Sequence, residues 1–251
     1  MNDRTKSLCS EKVSPQMPLN VMLRDELSLE TFYAVGNESV LADLERYCLM
    51  PAEYGLLIQG SAGSGKTHLL QAWVQRISSE GGRALYVPLS QLCDYSTEVL
   101  EGLETMDLVA LDDLDQIAGN REWEVALFHY LNRAWAKGQR TLMSSRHSPL
   151  SGEWELPDLV SRLGWGIVSP LKTLSDPDKM ACLQFRSRLR GIEMPENVAH
   201  YLLTRFSRDM AGLYQVLIEL DRATLKAKRA LTLPFVKQML VPPSEQDDVT
   251  E

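Results

Sequence analysis

The sequence predicts an α/β protein, a parallel, doubly wound sheet followed by a small all-helical unit. Three observations predict it. Gly60-Ser61-Ala62-Gly63-Ser64-Gly65-Lys66-Thr67 fills every fixed position of the phosphate-binding pattern G-x-x-x-x-G-K-[ST]. Short apolar runs alternate with helix-like stretches from Gly55 to Val168, the arrangement that builds a parallel sheet. After Pro170 the strand-like runs stop and apolar residues recur at helical spacing as far as Leu240.

Composition bounds what such a chain does. At 251 residues there is room for one large unit and a small one, or for a single α/β unit, and 44% hydrophobic with 24% charged residues excludes a largely disordered protein. The net charge of −8 argues against a protein whose main business is gripping DNA, because phosphate neutralisation by a basic face supplies most non-specific affinity. Cys9, Cys48, Cys93 and Cys182 lie far apart without a C-x-x-C pair, so neither a zinc site nor a disulfide framework is expected. His68, His129, His147 and His200 likewise have no partner at ligand spacing. No apolar run approaches the ~20 residues that span a bilayer, and the N-terminus lacks a signal-peptide core. The expectation is a cytoplasmic protein without a membrane partner.

In chain order, residues 1–24 read as a flexible polar arm, within which Gln16, Met17, Leu19 and Val21 form a short pattern suited to docking in an apolar groove. A helix is expected from about Ser39 to Cys48, with Val40, Leu41, Leu44 and Tyr47 on one face, and Gly55-Leu56-Leu57-Ile58-Gln59 suits a buried strand. His68 to Arg76 is helical in composition, so the glycines of the phosphate pattern fall in a strand-to-helix turn. Gly60, Gly63 and Gly65 let backbone N–H groups of the loop, Ser61, Ala62 and Ser64 included, close around a di- or triphosphate. Lys66 reaches its terminal phosphates and the Thr67 hydroxyl is a ligand for Mg²⁺.

Ala84 to Val87 is the next strand, and a helix is expected from Ser90 to Leu103. The run Leu108-Val109-Ala110-Leu111 then ends in Asp112-Asp113, a buried strand delivering carboxylates to the sheet edge where open α/β sheets bind ligands. Asp112 is expected to share Mg²⁺ with Thr67, and Asp113 to orient or activate an attacking water. Glu122 to Lys137 is strongly amphipathic through Trp123, Ala126, Leu127, Tyr130, Leu131 and Ala134, with Gly138 placed to end it. Thr141 to Ser144 and Ile167-Val168 complete the sheet. This α/β unit is taken as residues 25–172.

Residues 173–241 read as helical. Ser175 and Asp178 form a capping-box-like start, and Cys182, Phe185 and Leu189 share a face before Gly191. Pro195 opens a helix carrying Val198, Tyr201 and Leu202. Leu213, Val216, Leu217 and Leu220 mark a third, and Pro234 to Leu240 a fourth. Residues 242–251 are expected to be a disordered tail.

A phosphate loop, a strand ending in paired acids, a later loop arginine and a C-terminal helical lid together resemble the AAA+ ATPases. The runs Gly63 to Leu70, Trp123 to Arg133, Asp158 to Gly166 and Leu233 to Lys237 sharpen this to a resemblance to the Hda-like, DnaA-related AAA+ regulators, from about Gln16 to Leu240. The resemblance implies an AAA+ core with a helical lid, binding ADP or ATP with Mg²⁺. It implies that Arg162 projects into a neighbouring subunit's nucleotide site. It also implies that Gln16, Met17, Leu19 and Val21 dock on the sliding clamp (beta subunit) of the replicative polymerase, with Met17 and Val21 departing from the usual residues. The implied partners are DnaA and the clamp, with DNA met indirectly and self-association left open. Two positions depart from the family pattern: Arg146 follows Ser144-Ser145 where an acid is common, and Ala211 stands where a nucleotide-sensing arginine is usual, with Arg208 one turn earlier.

The implied role is activation of DnaA ATP hydrolysis in trans, with weak or no turnover of its own, which prevents re-initiation of replication. An autonomous helicase loader or motor would use the same Lys66, Asp112 and Asp113 but turn over alone. A DNA-binding initiator needs a helix-turn-helix unit for which the chain after the lid leaves no room, and a small-molecule kinase needs an acceptor pocket that no stretch supplies.

Overall fold

The computed structural model describes residues 27–50, 54–151, 154–206 and 209–240. The arm 1–24 with Gln16, Met17, Leu19 and Val21, the tail 242–251 and Arg208 lie outside the described residues.

The elements run α1 (Glu38–Leu49), β1 (Leu56–Gln59), α2 (Lys66–Ser79), β2 (Ala84–Pro88), α3 (Leu89–Leu92), β3 (Leu108–Asp112), α4 (Arg121–Ala136), β4 (Arg140–Ser145), α5 (Pro157–Leu163) and β5 (Ile167–Pro170). Then come α6 (Asp176–Leu189), α7 (Glu196–Arg205), α8 (Met210–Ala227) and α9 (Leu233–Met239). The strands form one five-stranded sheet in the order β2-β3-β4-β1-β5, and every pairing is parallel.

Side-chain alternation sorts the strands onto two cores. Leu57, Val109, Leu111 and Met143 face one side, with Trp123, Leu127, Tyr130 and Leu131 of α4 and Leu159 and Leu163 of α5. Leu56, Ile58, Leu108, Ala110 and Leu142 face the other, with Val40 and Leu44 of α1 and Leu69, Leu70 and Trp73 of α2. A sheet buried on both faces needs continuous apolar runs, which is why β3 reads Leu-Val-Ala-Leu without a polar interruption. A third core, containing Leu183, Val198, Leu202, Leu213, Leu217 and Val236, belongs to the four C-terminal helices.

Two expectations are corrected. Between Ser90 and Leu103 there is no continuous helix: α3 makes one turn, followed by 3₁₀ turns at Thr97–Leu100 and Leu103–Thr105. Ser96 Oγ accepts the Glu98 N–H at 3.3 Å and Gly102 adopts φ 76°, two local choices that end helical winding while leaving Leu92, Leu100 and Leu103 buried. In α6 the Ser175 cap forms as expected, its Oγ accepting the Asp178 N–H at 3.3 Å. The buried face, however, is Cys182, Leu183, Arg186 and Ser187, whereas Leu189 is 52% exposed. The helix is turned so that Arg186 faces the α/β unit.

Candidate functional site

The C-terminal edges of β1, β3 and β4 are level with one another, because the parallel register pairs Leu57 with Met143 and Met143 with Leu111. β1 runs into the loop Gly60–Thr67, and α2 begins at Lys66 with Gly65 as its left-handed cap at φ 104°. A Cβ on Gly60 would lie 2.5 Å from the Leu171 carbonyl oxygen, so only glycine lets the loop pass between β5 and α2. Lys66 is buried and its Nζ donates to the carbonyls of Gly60 at 2.6 Å and Ser61 at 3.1 Å. Burial pushes its pKa down, partly opposed by Asp113 and Asp112. Ser64 Oγ is buried in the loop without a hydrogen-bond partner among the described residues.

Asp112 is brought to Thr67 as the residue pattern predicts. Thr67 Oγ1 donates to Asp112 Oδ2 at 2.7 Å. The structure adds two donors that sequence reasoning missed: Tyr86 OH, at 2.7 Å from the same oxygen, and Ser144 Oγ, on Oδ1. Tyr86 comes from β2 and Ser144 from β4, the strands on either side of β3. Their only mark in the sequence is a hydroxyl near the end of a neighbouring strand. Asp113 leaves the sheet at φ 59°, its N–H donating to Ser144 Oγ at 2.9 Å. Burial raises its carboxyl pKa and the adjacent Asp112 charge raises it further. Asp115 accepts the Arg146 N–H at 2.9 Å and lies 3.6 Å from Arg146 Nε, so Arg146 is tied to the acidic loop.

A cleft of about 680 Å³ opens over these groups. Its polar floor is the loop with Asp112 and Asp113, and its apolar wall includes Phe32 and Tyr33 before α1 and Leu174, Met210 and Tyr214 of the helical unit. Asn37 ties the first wall to the chain leaving β5: its Nδ2 donates to the Lys172 carbonyl at 3.0 Å and its Oδ1 accepts the Lys172 N–H at 2.8 Å. A polar floor at a helix N-terminus with an aromatic and aliphatic wall is the division of labour a nucleotide needs. Ala211 lines the same wall.

A protein of Haemophilus influenzae, described as uncharacterized, is 42% identical over 229 residues, which are 91% of this chain and 99% of that protein. Residues 50–170 match the family model of the bacterial DnaA ATPase domain, and residues 176–240 match that of the Hda lid domain. The chain belongs to the Hda-like, DnaA-related AAA+ proteins. Among solved structures, domain III of the DnaA replication initiation protein of Thermotoga maritima is similar with a TM-score of 0.71 at 20% identity, covering 92% of this chain and all of that one. DnaA of Aquifex aeolicus, solved bound to AMPPCP, gives 0.67 at 23% identity over 80% of this chain and 67% of that one. The RuvB branch-migration motor of Thermotoga maritima gives 0.61 at 16% identity, covering 86% of this chain and 72% of that one. These likenesses establish the AAA+ fold with its helical lid.

Within this Hda-like fold, Arg162 is not in a loop, as the residue pattern suggested, but in the last turn of α5. It does not line the cleft of its own chain. Its guanidinium lies 4.0 Å from the centre of the Trp165 ring and 5.9 Å from that of Phe128. His68, which has no partner at metal-ligand spacing in the sequence, is a junction between segments. Its Nε2 is 2.8 Å from the Ser28 carbonyl and its Nδ1 2.9 Å from Arg186 Nη2 of the lid. Among the described residues no group of three or more His, Cys, Asp or Glu is arranged to hold a metal. No described helix is long and apolar enough to cross a membrane.

Proposed function

We propose that this protein is a cytoplasmic regulatory AAA+ nucleotide-binding protein that, bound to the DNA-loaded sliding clamp, stimulates ATP hydrolysis by DnaA and so prevents re-initiation of replication. The observation that carries this reading is Arg162, a cation held on the α5 surface, outside the cleft of its own chain and without an ion pair among the described residues. A guanidinium presents fixed donors and a permanent charge, the properties that stabilise charge on a transferring phosphoryl group in a neighbour's site. Its own cleft holds ADP or ATP on Gly60, Ser61, Ala62, Gly63, Ser64, Gly65, Lys66 and Thr67. The glycine that no Cβ could replace and the unpartnered Ser64 Oγ support that assignment. Thr67 and Asp112, 2.7 Å apart, would hold Mg²⁺, whose reluctance to shed water and preference for phosphate oxygens suits so few protein ligands. There it would neutralise phosphate charge.

In this reading Gln16, Met17, Leu19 and Val21 dock on the clamp, and the clamp supplies the contact with DNA that a chain of net charge −8 does not favour. The test follows phosphate release from ATP-bound DnaA on clamp-loaded DNA. Wild-type protein accelerates release and Arg162→Ala does not, the expected loss being ~10³-fold or more for an arginine supplied in trans. A loss of only a few-fold would return Arg162 to an ordinary surface role. Replacing Gln16 and Leu19 by alanine should weaken retention on purified clamp while nucleotide affinity is unchanged.

A second reading, an autonomous AAA+ ATPase acting as a helicase loader or motor, is favoured by the meeting of Lys66, Thr67, Asp112 and Asp113 in one cleft. Robust ATP turnover by the purified protein, without DnaA, would select it.

A further inference from the structure

The sequence Arg162-Leu163-Gly164-Trp165-Gly166 is folded so that the indole lies against the guanidinium. Trp165 N–H donates to the Arg162 carbonyl at 3.0 Å, closing the turn after α5. Gly166 then passes so close to Gly55 that a Cβ on it would be 1.9 Å from the Gly55 carbonyl oxygen, which pins the start of β5 to the strand beside it. Between these two fixed points Trp165 has little freedom. Its ring is 5.3 Å from that of Tyr54, edge to face, and Tyr54 packs in the same way on the buried Trp135 at 5.5 Å. The indole is thus rooted in the core, yet 49% of its surface is exposed.

Arg162 lies on that exposed ring, with Phe128 of α4 on the limit of contact. A carboxylate partner would use the guanidinium's donors and cancel its charge. An aromatic face attracts the cation through its quadrupole while leaving the N–H edge directed outward. A lone arginine on a surface otherwise samples many rotamers, and ordering it at the moment of use is costly.

We propose that Trp165, assisted by Phe128, is the positioning residue for Arg162: it holds the guanidinium over its ring, without a carboxylate partner among the described residues, for delivery to an anionic group on a partner. This rests on the reading of Arg162 as the arginine supplied to DnaA. Trp165 touches no reacting atom and acts through Arg162 alone.

The experiment compares wild type, Arg162→Ala, Trp165→Phe and Trp165→Leu in the DnaA phosphate-release assay on clamp-loaded DNA, titrating each protein to saturation and recording its thermal unfolding. Leucine keeps apolar bulk against Tyr54 but has no π face, whereas phenylalanine keeps the face. Trp165→Leu should lower the saturating rate roughly five- to ten-fold, with the half-saturating concentration within two-fold of wild type, and Trp165→Phe should restore most of that rate. Equal rates for the leucine and phenylalanine variants would overturn the proposal, as would a loss seen only as a raised half-saturating concentration, which would make Trp165 an ordinary interface contact. Should Trp165→Leu fail to fold, Phe128→Leu tests the same relation from the other ring, with a smaller loss of saturating rate expected and no loss overturning it. An unaffected Arg162→Ala would instead reject the function assigned to Arg162, so the two failures are distinguishable.

Discussion

Arg186 of the lid donates to Nδ1 of His68, the first residue after the phosphate loop, across 2.9 Å, joining positions 118 residues apart. An arginine only donates, so Nδ1 is the acceptor, and Nε2 must carry the proton given to the Ser28 carbonyl at 2.8 Å. Arg186 also lies 4.5 Å over the ring of Tyr214, which lines the cleft. One neutral imidazole therefore links the segment before α1, the helix that begins in the phosphate loop, and the lid.

This neutral state makes stability sensitive to acid. Burial, partly opposed by the hydrogen bond to the Ser28 carbonyl and aided less by Arg186, pushes the His68 pKa down to about 4 from the usual 6.5. Above pH 6.5 neither folded nor unfolded chain holds the proton. As pH falls from 6.5 to 4 only the unfolded chain takes it up, so stability declines across that window, by roughly 3 kcal/mol in all, and below pH 4 this contribution levels off. Urea unfolding of wild type and His68→Gln at intervals between pH 7.5 and 4 should show that extra decline in the wild type alone.

Lys66→Ala should lower affinity for ADP and ATP by on the order of 100-fold, since it removes the motif's only cation and its charge-assisted hydrogen bonds. Equilibrium titration with labelled nucleotide reads this directly, and unchanged affinity would mean that the loop is not the phosphate site.

The Asp112 carboxylate should respond unequally to loss of its donors. Ser144→Ala removes the hydrogen bond to Oδ1 and the acceptor of the Asp113 N–H, leaving a buried carboxylate oxygen and a partly buried N–H without these partners, at about 2 kcal/mol. Tyr86→Phe leaves Oδ2 with Thr67 and should cost about 1 kcal/mol. Denaturant midpoints of the two variants give the order, and a reversal would show that the Tyr86 hydroxyl carries the site.

Gly166→Ala should destabilise by about 3 kcal/mol or more, because its Cβ would meet backbone that has no rotamer to escape into. Thermal unfolding checks this against Gly164→Ala, where the nearest atom to the added Cβ is at 3.4 Å and a far smaller effect is expected.

The phosphate loop, the strands and the Thr67–Asp112 pair were legible in the residues themselves, because each depends on short-range chemistry. Glycine spacing sets a backbone turn, a continuous apolar run sets a doubly buried strand, and an acid closing such a run arrives at the sheet's ligand edge. Helix α4 was legible for the same reason, its apolar stripe repeating at helical spacing with Gly138 past its end. Periodicity failed where a polar residue faces inward for a long-range partner: α6 turns Arg186 toward His68 and Tyr214, and the apolar stripe that would have exposed it is not the buried one. Between Ser90 and Leu103, side chain and glycine choices at Ser96 and Gly102 overrode a composition that suited a helix. Arg162 and Trp165 stand close in sequence, yet their stacking follows from the end of α5 and from Gly166 closing on Gly55, a contact across 111 residues. The sequence by itself therefore determined the fold class, the glycine loop between β1 and α2 and its acidic neighbour Asp112. Only the tertiary structure decided which hydroxyls surround Asp112, which lid residue meets the phosphate-loop helix and what holds Arg162, because each of those contacts joins segments whose separation in space no local pattern encodes.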